Sequence, residues 1–122
     1  MAFQPLKPFE KQVLEKLLLI EDPRSSRLAP QIDSLFSEMD DDGKILYLTS
    51  PDHEGQLRRR EMARDVEAMG YYRDCVGRIA DLIVFIDESG QLSALEFVNY
   101  DGIPFDQENI DVQLIEVRSR SM

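Results

Sequence analysis

A chain of 122 residues with 43% hydrophobic content is long enough for one ordinary core and too short for two, because a domain of this size buries roughly two-thirds of its unfolded surface. The formal charge of −10 argues against nucleic acid as a partner, since affinity for phosphate backbones comes largely from cations that displace counterions. Uncharged apolar runs such as Leu17 to Ile20 are far short of the ~20 residues that span a bilayer, and the Met1 end lacks a basic segment followed by an apolar one. The expectation is a cytoplasmic single domain over residues 1–122, ordered over about 8–117, with no membrane partner.

Pro8 suits the first turn of a helix, and Glu10 suits the positive end of the helix dipole. Phe9, Val13, Leu17 and Ile20 recur at helical spacing, with Leu14 and Leu18 widening the stripe, so a helix is predicted from about Pro8 to Glu21. Asp22-Pro23 ends it, because the residue before proline is pushed out of the α region. Ser25-Ser26 can cap a second helix with Leu28, Ile32, Leu35, Phe36 and Met39 on its buried face.

Asp40 to Gly43 is a turn by composition, and Ile45 to Thr49 has the residue types of a short strand. Ser50 to Gln56 reads as a loop. Within Leu57 to Tyr72 the period is ambiguous: Met62, Val66 and Met69 fall at helical spacing, whereas Val66, Ala68 and Tyr72 alternate as a strand would. A strand over about 64–73 makes Asp74 to Gly77 a second turn and yields a three-stranded meander. Ile79 to Ile86 and Leu92 to Tyr100 flank Asp87-Glu88-Ser89-Gly90 and form the clearest hairpin in the chain. Pro104 follows a break at Asp101-Gly102, and Val112 to Val117 carries the β-branched content of a last, edge strand.

The order of these elements, with Asp41-Asp42-Gly43, Asp74 to Gly77, Asp87 to Gly90, Leu92, Leu95, Glu96, Phe97 and Asp101 to Phe105, resembles a bacterial family of small acidic proteins of unknown function. The resemblance spans about Phe9 to Phe105 and implies an α+β fold with a strand near residues 65–73; it brings no catalytic residues. Where that family carries tryptophan and lysine after the L-E strand, this chain has Val98-Asn99. The G-x-L-x-x-L-E strand is also similar to strands of immunity proteins from bacterial toxin systems, by analogy of motif and size.

Candidate chemistry is sparse. His53 is the only histidine, which excludes a multi-histidine metal site and leaves a Ser-His or Cys-His pair without a spare imidazole. Cys75, the only cysteine, permits no internal disulfide, and its neighbours Asp74 and Asp81 oppose thiolate formation. Glu38, Asp40, Asp42 and Gly43 mimic the opening of a calcium loop, but Thr49 stands where a bidentate glutamate is needed, so no metal is expected. No nucleotide-binding or hydrolase string occurs, and no cofactor is expected.

Charge is lopsided: Asp74 to Glu116 holds ten carboxylates against Arg78 alone. Asp81 interrupts an apolar strand and is costly to bury unpaired. The fold expected is α+β, two N-terminal helices packed on a four- or five-stranded antiparallel meander sheet. The function expected is a non-catalytic binding module of the immunity or inhibitor type, engaging a basic protein partner through Asp81, Glu96, Asp101 and Asp106. Alternatives are a small-molecule enzyme using paired carboxylates or a loop containing His53, and a homo-oligomeric structural protein whose basic patch, Arg58, Arg59, Arg60 and Arg64, docks on the acidic half of a second copy.

Overall fold

In the computed structural model the described residues are 3–18, 28–40, 43–49, 65–73, 77, 79–87, 90–99 and 110–118. They form one α-helix and one seven-stranded sheet. The strands are β1 (Gln4–Pro5), β2 (Phe36–Met39), β3 (Ile45–Thr49), β4 (Asp65–Arg73), β5 (Ile79–Ile86), β6 (Leu92–Asn99) and β7 (Ile115–Arg118). The helix, α1 (Pro8–Leu18), lies between β1 and β2 in the chain. Every strand pairing is antiparallel, in the order β1-β2-β3-β6-β5-β4-β7. β4, β5 and β6 are the expected meander, and β3 lies beside β6, which makes the central four strands a Greek key.

The expected architecture of two helices on four or five strands is corrected in both respects. The second helix is instead a 3₁₀ helix, Ala29–Ser34, that runs into β2. Ser34 Oγ donates to the Gln31 carbonyl at 3.1 Å, a side-chain bond that competes with helix continuation. Leu35 then turns extended at φ −80 and ψ 149. From there Phe36–Met39 pairs with β3, so Phe36 and Met39 face opposite sides of a sheet rather than one side of a helix. The two-residue β1 pairs with Ser37 and Phe36 at the sheet edge, where a proline such as Pro5 is tolerated.

α1 follows its stripe with one exception. Val13, Leu14, Leu17 and Leu18 are fully buried, but the buried position in the first turn is Glu10 rather than the half-buried Phe9. Glu10 Oε1 accepts from the Lys7 N–H at 2.9 Å, reaching back to cap the helix start, and from Ser37 Oγ at 2.8 Å, which ties the helix to β2. At the other end of the buried surface, Leu17 rests on Gly70 of β4. A Cβ at Gly70 would stand 2.5 Å from Leu17 Cδ2 and 3.0 Å from Ile115 Cγ2, so the helix approaches the sheet through the space a side chain would fill. Leu46, Leu48, Leu82, Val84, Leu95, Phe97 and Tyr72 complete this core. The Tyr72 hydroxyl accepts from the Asp111 N–H at 3.2 Å, at the start of a second 3₁₀ helix, Val112–Leu114, and Gln31 Oε1 accepts from the Leu92 N–H at 3.1 Å, fastening both 3₁₀ segments to the sheet.

Two hairpin turns share one device. Asp40 N–H donates to the Ile45 carbonyl, Gly43 N–H donates to the Asp40 carbonyl, and the Asp40 carboxylate accepts from the Lys44 and Ile45 N–H groups. Asp87, Gly90 and Gln91 repeat this pattern between β5 and β6. Gly43 and Gly90 sit at φ 69 and φ 81, where other L-residues are strained.

Two stability measurements test this account. Gly70→Ala is expected to lower stability by about 1–3 kcal/mol through overpacking, and by less in a Leu17→Ala background, where the clashing methyl is gone. Additive losses in urea titrations of the two single and the double variant would show that Leu17 is not what the added methyl meets. Asp87→Ala is expected to cost about 1–2 kcal/mol, whereas Asp87→Asn, which keeps an acceptor, should cost less; equal losses would remove the turn bond as the cause.

Candidate functional site

The strand registers divide the sheet into a core face beneath α1 and an outer face on which no described helix lies. On the outer face the registers set side chains in rows across the strands. One row runs Glu38, Tyr47, Ala94, Phe85 and Val66. The next runs Ile45, Glu96, Ile83, Met69 and Arg118. A third runs Val98, Asp81, Tyr71 and Glu116.

Tyr47, Phe85, Ile45, Ile83, Met69 and Tyr71 are half-buried, whereas Ala94 in the middle of the first row is fully buried. An antiparallel sheet with one solvated face normally alternates apolar and polar residues. Here β5 presents Ala80, Leu82 and Val84 to the core and Asp81, Ile83 and Phe85 outward, so only Asp81 relieves the apolar character of its outer side.

Of the four residues expected to contact a partner, the sheet brings Asp81 and Glu96 together. They lie on adjacent central strands, one pairing step apart, since Asp81 faces Val98 and Glu96 faces Ile83. Such diagonal neighbours are about 7–8 Å apart. Glu96 is half-buried between Ile45 and Ile83, and no hydrogen bond or ion pair holds its carboxylate among the described residues. Asp81 makes a further interaction within the chain. Asp101, Asp106, Arg58, Arg59, Arg60 and Arg64 lie outside the described residues, as do His53, Cys75 and Asp42.

Among the described residues the face carries four carboxylates, Glu38, Asp81, Glu96 and Glu116, against one guanidinium, and Glu38 and Asp81 already interact within the chain. That cation, Arg118, sits over the Tyr71 ring at 4.9 Å from its centroid, on the edge strand. It stands three strand steps from Glu96, about 14 Å at ordinary strand spacing, too far to pair with it. Sequence reading identified the two acids and missed the apolar side chains around them. The signal was the outward phase of β5, in which Ile83 and Phe85 alternate with the core positions.

A concavity lies at the sheet edge, a cavity of about 130 Å³ lined by residues that include Gln4, Lys7, Glu10, Ser37 and Glu38. It is smaller than the roughly 300–1,000 Å³ of ordinary ligand sites. Of its two buried carboxylates, Glu10 already accepts the two hydrogen bonds that fix the helix, and Glu38 also interacts within the chain. Asp40 Oδ1, in the turn that mimics a calcium loop, likewise accepts two backbone N–H groups. Among the described residues no group of three or more His, Cys, Asp or Glu side chains is placed to hold a metal, and no helix is long and apolar enough to cross a membrane.

No family model, curated protein or solved structure matches this chain.

The setting of Glu96 predicts the effect of removing its charge. Glu96→Val, which continues the aliphatic row between Ile45 and Ile83, is expected to leave stability unchanged or raise it by up to about 1 kcal/mol. Thermal and urea unfolding read this directly, and a loss above about 1 kcal/mol would mean that the carboxylate has a structural partner.

Proposed function

We propose that the chain is a non-catalytic binding module of the immunity or inhibitor type, working in the bacterial cytoplasm, and that its outer sheet face holds a basic protein partner. The observation that carries this reading is the largely apolar outer face with a half-buried carboxylate, Glu96, that no described residue bonds. A face serving only as solvated surface has little use for Ile83, Phe85, Tyr47 and Tyr71, which all keep partial access to solvent, and partly exposed apolar side chains on one face favour an interaction site. Glu96 then supplies what an apolar patch lacks, selectivity for a cation and repulsion of an acid. Asp81 adds to the same potential, and the D-x-x-G-x-L-x-x-L-E strand that carries Glu96 is the part similar to immunity proteins. Asp101 and Asp106 extend the acidic field in this proposal along the chain beyond β6.

The test is capture from native-cell lysate with the wild-type chain and with Glu96→Lys, at low and high salt. A basic protein retained by wild type at low salt, released when screening shortens the Debye length below ~10 Å, and lost with Glu96→Lys is the expected result. Identical captures by wild type and Glu96→Lys, with the variant folded by circular dichroism, would remove the acidic face as the binding surface.

A further inference from the structure

We infer that the chain pairs with a second copy of itself along the outer edge of β7, antiparallel about Val117, so that Glu116 of each copy meets Arg118 of the other. This contact is separate from the outer-face binding surface and does not depend on it.

The backbone supplies the first condition. β7 is the last strand in the sheet order: one side pairs with β4 and, among the described residues, no strand pairs with the other. Such an edge presents N–H and C=O groups that a further strand can take up. The opposite edge is poorer, since β1 is two residues long and one of them is Pro5, which has no N–H to give. The side chains of β7 that point away from the core stand in solvent: Glu116 and Arg118 are exposed, and Leu114, which leads into the strand, is 47% exposed.

Pleat and charge then select one register. Ile115 is buried on the core side, and Glu116 and Arg118 lie on the other. Residues directly opposite in an antiparallel pair share a face, so outer side chains must meet outer ones. Pairing about Glu116 would set two carboxylates against each other, and pairing about Arg118 two guanidinium groups. Pairing about Val117 sets Glu116 opposite Arg118 twice, by two-fold symmetry, with Val117 against Val117 on the core side. Charges on an edge strand ordinarily ward off other strands. Here an acid and a base two residues apart penalise the registers on either side and leave the central one self-complementary. Neither side chain has a hydrogen bond or ion pair among the described residues. Arg118 does lie over the Tyr71 ring, 4.9 Å from its centroid, a contact that steadies the guanidinium while its N–H donors remain for a carboxylate. Four residues of strand make a small interface, so the dimer is a weak one.

The experiment is sedimentation velocity of the full chain over a concentration series, repeated for Glu116→Lys, for Arg118→Glu and for an equimolar mixture of the two, each folded by circular dichroism. Wild type should dimerise as its concentration rises. Either variant alone sets like charges opposite each other at both pairs and should dissociate at least about tenfold more readily. In the mixture every opposed pair is again one acid and one base, so association should return to within about threefold of wild type. Glu96→Lys, which leaves β7 untouched, should dimerise as wild type does, which keeps the fate of the edge contact distinct from that of the outer face. Wild type that stays monomeric throughout, a dimer indifferent to both β7 substitutions, or weakened variants whose mixture does not recover would each overturn the inference.

Discussion

The close approach of α1 to β4 at Gly70 is the constraint on which the arrangement depends. Only the missing side chain lets Leu17 sit against the backbone of the sheet, and only at that distance can Leu14 and Leu18 share a core with residues such as Leu82 and Val84. Glu10 fixes the other end of the same helix by bonding Ser37, so the helix is held at two points on different strands. The exposed ion pair between Lys11 Nζ and Asp33 Oδ1, at 3.0 Å, joins the helix to the 3₁₀ segment. The hydrogen bond and charge of Asp33 hold the lysine above its ordinary pKa range, yet both side chains are largely in water and the pair adds little to stability. With α1 committed to one face, the single described helix leaves the other face to something else.

The β2–β3 and β5–β6 turns are both built from an aspartate and a glycine three residues later. In each, the carboxylate is occupied by backbone N–H groups. Part of the acidity in the sequence is therefore structural: Asp40 and Asp87 close hairpins, Glu10 caps a helix and Asp111 accepts from Gln113 N–H at the start of a 3₁₀ helix. Once those are set aside, Glu96 is a half-buried carboxylate on a central strand that no comparable bond among the described residues accounts for. Net charge alone could not separate these roles, since a carboxylate capping a turn and one awaiting a partner contribute equally to −10.

The β5–β6 hairpin was legible because its two apolar runs flank a turn with the right chemistry at Asp87 and Gly90. β4 was legible only through its context, as its own residues fit helix and strand alike. The second helix was misread because Leu28, Ile32, Leu35 and Met39 do fall at helical spacing. Ser34 and the downstream pairing with β3 override that period, a tertiary preference that local pattern does not carry. β1 is two residues long and contains a proline, so it left no sequence signal at all. The candidate site was half visible. Asp81 and Glu96 could be singled out as acids in apolar strands, but their adjacency follows from the register of β5 against β6. The register shift near Phe85 and Ile86 in turn sets which side chains share the outer face.

That outer face breaks two local rules in compatible ways. Stability alone would place polar groups at Ile83 and Phe85, where water is the neighbour, and a β-branched residue at Glu96, where the neighbours are Ile45 and Ile83. The chain does the reverse at each position. Either departure by itself would be an ordinary blemish of a natural sequence. Together they describe a surface whose apolar residues gain from being covered and whose central carboxylate must then be paired, and a covering element that brings a cation satisfies both conditions at once. The free chain keeps Glu96 half-solvated and tolerable, so the arrangement becomes favourable only when a complementary partner arrives.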